Sequence, residues 1–383
     1  MSAARPDSSY FDLPPSDAPH LQGLDALQVY EADVTREDII REYGVQADDI
    51  VKLSSNENPL GCSPHVTLAV ALQLGALSRY PDGAGVTLRQ YLGDFHGVSA
   101  DCVTLANGGQ DLLALLAAAT LSTADGKNQN ARMVYAQYAL SDYQLASLNI
   151  TQQAVCVPAQ QYGHDLAAMA EVINATPECR LVLLANPNNP TGTLLTAEAI
   201  AKFVARVPSS VLVVIDEAYI EFTPKQTSVR LTQTFDNVVI LRTFSKAYGL
   251  AGLKIGYAIS SPVLAELLKL SRQAMGANVL ALAAAQAALA DQTFLTDYLA
   301  FNAEQRQALY KGLDSLGIEF VPSVANFVMV NVGDGQTVYQ ALLEQGIVVR
   351  VLSGYGLDAW IRVSVGLPEE NNRFLDTLAQ VLA

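Results

Sequence analysis

The sequence predicts an α/β protein: a mostly parallel sheet covered by helices on both faces, joined to a smaller α+β unit. Three observations predict it. Five short, almost unbroken apolar runs recur between residues 131 and 242, with helix-like stretches between several of them. Strands apolar on both faces belong to parallel sheets buried under helices. Polar clusters follow three of those runs directly, which is where open α/β sheets bind ligands. After Gly317 the texture changes to short strands and helices of mixed polarity.

Taken in order, the chain opens with a polar, Pro-rich stretch, Met1 to about Gln22, that reads as a loose arm. Thr35 to Tyr43 is helical, because Thr35 can cap and Asp38 follows three residues later. Ile50 to Leu53 is a short apolar run. Helices are expected over His65 to Gly75, Leu88 to His96 and Asp111 to Leu121, the last opened by Asn107-Gly108-Gly109-Gln110. The five strand-like runs are Ala131 to Tyr135, Gln153 to Val157, Leu181 to Ala185, Val211 to Ile215 and Val238 to Arg242, with a helix over Ala197 to Val207. Thr123 to Asn130 is polar and reads as an exposed insertion. Helices follow over Pro262 to Met275, Leu280 to Ala290 and Phe294 to Leu316. The last part carries strands at Phe327 to Val330, Ile347 to Arg350 and Trp360 to Ser364, and helices at Thr337 to Gln345 and Glu369 to Leu382. This divides the chain into an arm over 1–29, a small domain from 30–58 with 292–383, and a large domain over 59–291.

The composition excludes several classes of function. Of 383 residues, 50% are hydrophobic and 16% charged, the balance of a chain with a large core. A net charge of -15 argues against a nucleic-acid or anionic membrane surface. Four scattered cysteines and four scattered histidines form neither a disulfide framework nor a metal-ligand pattern. The most apolar stretch, Val279 to Ala290, is about half of the roughly 20 residues a membrane span requires. With no apolar signal core in Met1 to Pro19, the chain reads as cytoplasmic.

Four features carry chemistry. Asn186-Pro187-Asn188-Asn189-Pro190-Thr191-Gly192 follows the third run, Asp216-Glu217-Ala218-Tyr219 the fourth, and Thr243-Phe244-Ser245-Lys246 the fifth; Arg362 lies within the late run Trp360 to Ser364. Each is weak alone. Asp at a strand end is usually a turn or cap residue, and Asn-Pro-Thr-Gly is first of all a turn sequence. Three such clusters at three neighbouring strand ends can converge on one ligand.

Together they resemble the pyridoxal 5'-phosphate enzymes of the aminotransferase class I/II superfamily, and within it the histidinol-phosphate aminotransferases and their aromatic-aminotransferase relatives. The similarity runs from about Tyr30 to the C-terminus. It includes Ser55-Asn56-Glu57-Asn58-Pro59-Leu60-Gly61, Arg79-Tyr80-Pro81 and Ile361-Arg362-Val363-Ser364-Val365-Gly366. The resemblance implies an aspartate-aminotransferase-like, three-layer large domain and a homodimer with shared active sites. It implies that Lys246 carries the cofactor and shuttles a proton, and that Asp216 pairs with the pyridinium nitrogen. Tyr219 and Asn189 hydrogen-bond the phenolic oxygen, and Tyr138 stacks on the ring. The phosphate falls to Gly109, Gln110, Thr243, Ser245 and Lys254, with Tyr80 reaching the neighbouring subunit's cofactor. Arg362, Arg350, Tyr30 and Asn58 fall on the substrate side.

The chain also departs from that pattern. Lys254 stands where the family has an arginine on the phosphate, which keeps the charge and loses the two-pronged geometry. Ala136-Gln137-Tyr138 replaces Pro-Thr-Tyr. Met275, in Arg272-Gln273-Ala274-Met275, replaces a substrate-pocket aromatic. An aromatic amino-acid aminotransferase and a decarboxylase of the same fold remain alternatives. A nicotinamide dehydrogenase does not, because Gly83-Ala84-Gly85 lacks the third glycine and the preceding strand. Intact Lys246, Asp216 and Tyr219 argue against a non-catalytic binding protein.

Overall fold

The computed structural model describes residues 34–121, 130–139, 154–271 and 276–383. The arm, Tyr30, the expected insertion up to residue 129, and Arg272 to Met275 lie outside them. Helix α1 (Arg36–Tyr43) opens on the capping box expected at Thr35 and Asp38 and ends at Gly44 in the left-handed region. Strand β1 (Val51–Lys52), helices α2 (Pro64–Gln73) and α3 (Val86–His96), strand β2 (Val103–Ala106) and helix α4 (Gly109–Leu121) follow. Then come β3 (Arg132–Ala136), β4 (Ala154–Val157), α5 (Leu166–Asn174), β5 (Cys179–Ala185), α6 (Ala197–Val204), β6 (Leu212–Asp216), β7 (Val238–Thr243) and β8 (Gly256–Ile259). The chain continues through α7 (Pro262–Ser271), α8 (Val279–Ala290), α9 (Gln292–Ser315), β9 (Phe320–Val321), β10 (Phe327–Asn331), α10 (Gly335–Glu344), β11 (Ile347–Val348), β12 (Arg350–Val351), β13 (Trp360–Ser364) and α11 (Pro368–Val381).

The main sheet has seven strands in the order β2-β8-β7-β6-β5-β3-β4. The five runs expected as strands form its parallel body. Two further strands, β2 and β8, were not apparent in the sequence. They are short, Val-Thr-Leu-Ala and Gly-Tyr-Ala-Ile, so neither shows a strong period. Strand β8 runs antiparallel to both β7 and β2. Alternate residues of the central strands feed two cores. Val213, Ile215 and Val182 join α3, α5, α6 and α8 on one face, while Val214, Leu181 and Leu241 join α4 and α7 on the other. The result is the expected three layers.

A second region is built on the antiparallel sheet β12-β13-β10-β9 and the parallel pair β1–β11. The single strand expected over Ile347 to Arg350 divides at Val349, with β11 pairing β1 and β12 pairing β13. Val51, Val328, Ile361, Phe374 and Leu378 share a core there. Helix α9 serves both regions: Leu295 and Tyr298 near its start pack in the first core, Leu309 and Leu313 in the second. No single helix among the described residues is long and apolar enough to cross a membrane. The apolar α8 is buried along Ala281, Ala284, Ala285 and Ala288 and meets α9 at a bend of 76°.

Candidate active site

Strands β5, β6 and β7 are hydrogen-bonded neighbours, so their carboxyl ends bring three polar clusters together. After β5 the loop 186–192 is tied down by hydrogen bonds. Asn186 donates through Nδ2 to Leu195 O at 3.1 Å and accepts Leu195 N–H at 2.7 Å. Asn188 donates to Tyr138 O at 3.0 Å and to Thr191 Oγ1 at 2.9 Å. The peptide bonds before Pro187 and Pro190 are cis. Gly192 has φ +73°, and a Cβ there would lie 2.1 Å from Ser323 Oγ. With its neighbours so tied, this loop holds Asn189 at the cavity wall.

After β7 the chain turns through Phe244, which is fully buried and donates its N–H to Ile255 O at 3.1 Å. That bond closes the base of a loop carrying both Lys246 and Lys254. Gly249, at φ +71°, packs so tightly on the 54–61 segment that a Cβ would lie 2.1 Å from Gly61 O. Lys246 Nζ donates to Ser55 O at 2.9 Å and stands 6.0 Å from the centre of the Tyr219 ring. Asp216 ends β6 with Oδ1 accepting Ala218 N–H at 3.0 Å. Tyr219 is buried edge-on against Phe327, and its hydroxyl receives Asn56 Nδ2–H at 2.8 Å.

These groups surround a cavity of about 270 Å³, close to the lower end of the roughly 300–1,000 Å³ usual for small-ligand sites. Its wall includes Lys246, Asp216, Tyr219, Asn189, Thr243, Ser245, Gly109, Gln110, Lys254, Arg350 and Arg362. Four of these are cations and one, Asp216, is a carboxylate. In a chain of net charge -15, such a patch selects an anionic ligand that also carries one positive centre. At one end helix α4 begins at Gly109, where the amides of the first turn and the helix dipole favour an anion. Lys254, at φ +52°, donates there to Gln110 Oε1 at 3.2 Å and passes Gly108, whose added Cβ would lie 3.7 Å from Lys254 Cε. Arg362 donates through Nη1 to Asn189 Oδ1 at 2.5 Å and through Nη2 to Ser54 O at 2.6 Å, over the Phe327 ring. Its buried Nε has no hydrogen-bond partner among the described residues.

Three expected site residues stand outside this wall. Tyr138 packs beside Tyr162, ring centres 6.1 Å apart, and its backbone carbonyl receives Asn188. Asn58 is buried and donates to Ala247 O at 3.0 Å, which tethers the loop of Lys246 from behind. Tyr80 is 86% exposed. Tyr30 falls outside the described residues.

Sequence reasoning missed Ser54, Asn56 and Tyr355 in the wall, and Ser364 behind it. It also missed an ionic cluster behind Asp216. Glu217 is completely buried and accepts Arg242 Nη2–H at 2.7 Å and Nε–H at 3.0 Å; Glu221 Oε1 lies 3.7 Å from Arg242 Nη1. Burial pushes the Glu221 carboxyl up to about 7, against the pull of Arg242. Burial also opposes the Arg242 charge, but Glu217 beside it holds the guanidinium protonated. The available signal was an arginine and a glutamate at the ends of adjacent apolar runs, each facing away from its cavity-side neighbour. His164, buried against Ala185 O at 2.7 Å, is held neutral by burial, with its pKa lowered to about 4.

The sequence and fold have counterparts. The chain is 50% identical over 370 residues, 95% of each chain, to histidinol-phosphate aminotransferase 1 of Psychrobacter arcticus. It is 46% identical to histidinol-phosphate aminotransferase 2 of Ralstonia nicotianae over 90% of this chain and 92% of that one. The crystal structure of histidinol-phosphate aminotransferase from Sinorhizobium meliloti in complex with pyridoxal-5'-phosphate superposes with a TM-score of 0.84 at 29% identity, covering 92% of this chain and 95% of that one. The sequence profile described as aminotransferase class I and II matches residues 48–378. The chain belongs to the class I and II aminotransferases.

Proposed function

We propose that this chain transfers an amino group from histidinol phosphate to 2-oxoglutarate, giving imidazole-acetol phosphate and glutamate in histidine biosynthesis, with pyridoxal 5'-phosphate as its cofactor. The observation that carries the substrate is the 50% identity, spanning 95% of both chains, to a histidinol-phosphate aminotransferase.

The donor set fits the cofactor. One carboxylate, the amines of Lys246 and Lys254, an anion-ready helix terminus and the Nε of Arg362 suit an acidic, flat, aldehyde-bearing group with a basic ring nitrogen. When bound, that group supplies an electron sink for the charge developed at the substrate's Cα. Lys246 Nζ would hold it covalently and would move the Cα proton. Asp216 keeps the ring nitrogen protonated by charge pairing. Asn189 and Tyr219, both in the cavity wall, would hydrogen-bond the ring oxygen. The amides of Gly109 and Gln110, the hydroxyls of Thr243 and Ser245, and Lys254 receive the phosphate. Arg362 and Arg350 take the substrate's own anionic group, since a guanidinium suits phosphate and carboxylate alike.

We further read the chain as a cytoplasmic homodimer. Leu68, Leu72, Leu74, Leu77 and Tyr80 are all exposed within one short stretch of chain, more apolar surface than an aqueous monomer favours, and all four cysteines are free. The division 30–58 with 292–383 against 59–291 is supported by the separate second core, although α9 begins in the first.

A two-substrate assay tests the substrate assignment. Histidinol phosphate with 2-oxoglutarate should give glutamate, in parallel double-reciprocal lines, faster than phenylalanine or tyrosine does. Preference for the aromatic amino acids would overturn the assignment, and release of CO2 without amino transfer would overturn transamination itself.

A further inference from the structure

We infer that Ser364, acting through Asn56, sets the direction in which Tyr219 donates its hydroxyl proton, and is a positioning residue for the reaction. The inference rests on the cofactor reading above.

Hydrogen-bond direction carries the argument. Asn56 N–H donates to Ser364 Oγ at 2.8 Å, so that oxygen is already an acceptor. Ser364 Oγ lies 3.1 Å from Asn56 Oδ1, to which its hydroxyl donates. Both residues are buried, at 4% and 1% exposure. Turning the amide round would face Ser364 Oγ with two N–H donors and strip its buried O–H of the acceptor it has. The amide is therefore fixed with Nδ2 toward Tyr219, 2.8 Å from its hydroxyl oxygen. A hydroxyl that accepts from Asn56 cannot send its own proton to Asn56. It sends it to another side, and Tyr219 borders the cavity.

The rest of the surroundings hold this chain in place. Asn56 sits at φ +53°, a conformation asparagine tolerates better than most residues. Its carbonyl accepts Asn326 Nδ2–H at 3.0 Å. Ser364 is two residues beyond Arg362 on β13, so the strand that offers the substrate arginine also steers Tyr219. Lys246 stands 6.0 Å from the Tyr219 ring centre, Arg362 lies over the neighbouring Phe327 ring, Asp216 borders the same cavity, and Glu217 and Glu221, two residues to either side, pair with Arg242; none of them changes in the variants below.

The test is a pH titration of the visible absorbance of the purified holoenzyme, which reports protonation of the nitrogen joining Lys246 to the cofactor. A proton donated by Tyr219 to the ring oxygen competes with that nitrogen's proton, so losing it raises the midpoint. Ser364→Ala should raise the midpoint by about one pH unit, the scale on which a hydrogen bond to one protonation state acts. Ser364→Thr, which keeps the hydroxyl, should restore it. In a Tyr219→Phe background Ser364→Ala should add no further shift. Should Ser364→Ala fail to fold, Asn56→Asp takes its place: it can only accept, so its upward shift should shrink when Tyr219 is also Phe. An unmoved midpoint in the single variant, equal displacement in Ala and Thr, or an undiminished shift in the Phe background would each overturn the inference. A wild-type protein with no titrating visible band would sink the cofactor reading itself, which separates the two failures.

Discussion

Glu217 and Arg242 form a 2.7 Å ion pair sealed from solvent, and they sit back to back with the catalytic face: Glu217 follows Asp216, and Arg242 precedes Thr243. Glu217 also accepts Ser228 N–H at 2.5 Å. Removing one partner leaves the other charge buried alone, which costs about 3–5 kcal/mol. Glu217→Ala should lower unfolding free energy by that order in denaturant titrations. Unchanged stability would mean that the pair is solvated.

Glu221 makes stability depend on pH. Its folded pKa is raised from 4.5 to about 7, so the native state holds this proton more tightly than the unfolded chain does. The contribution is complete below 4.5 and is lost as pH rises through about 7. Glu221→Gln should therefore gain melting temperature over wild type at pH 8 relative to the same difference at pH 4.5. A difference that stays constant with pH would contradict the assignment.

Lys246→Ala should lose the yellow chromophore and lower the turnover number by about 10³-fold or more, because both the covalent tether and the proton carrier are gone. Borohydride should then fix no cofactor to the peptide containing position 246. A reducible adduct still found there would show that another amine carries it.

Gly249→Ala should harm both fold and catalysis. The added Cβ meets Gly61 O at 2.1 Å, and φ +71° is unfavourable for alanine. We expect a loss of about 2 kcal/mol or more from strain and contact together, with weakened cofactor retention because the loop bearing Lys246 is pushed off the 54–61 segment. Thermal melting with and without added cofactor measures both effects.

Leu72→Asp places a charge at the exposed leucine of α2, in the apolar stretch that leads to Tyr80. Sedimentation should change from dimer to monomer, and cofactor affinity should fall with it if Tyr80 serves the neighbouring site. A variant that remains dimeric would move the interface elsewhere.

The parallel body of the sheet was legible because its five strands are apolar on both faces, a pattern that needs no partner to be read. Strands β2 and β8 were not, since four residues with a glycine, a threonine or alanines carry too little period. The cavity wall was legible where a residue ended a strand, as Asp216 and Thr243 do, or closely followed one, as Lys246 does. It was illegible where a residue acts by hydrogen-bond direction, as Asn56 and Ser364 do 308 positions apart. The Glu217–Arg242 pair was missed for a different reason: a charged residue at a strand end reads as solvated until the neighbouring strand supplies its partner.

The antiparallel return of β8 against β7 has a consequence for how the protein is loaded. Lys246 and Lys254 are borne on a single hairpin whose base is stitched by Phe244 N–H to Ile255 O and by the ladder below it. The two anchors are thus spaced by backbone bonds rather than by their ligand. A socket preorganised in this way does not collapse when emptied. Reloading should proceed as diffusion followed by covalent capture, with a rate proportional to cofactor concentration and no slow refolding phase in stopped-flow absorbance.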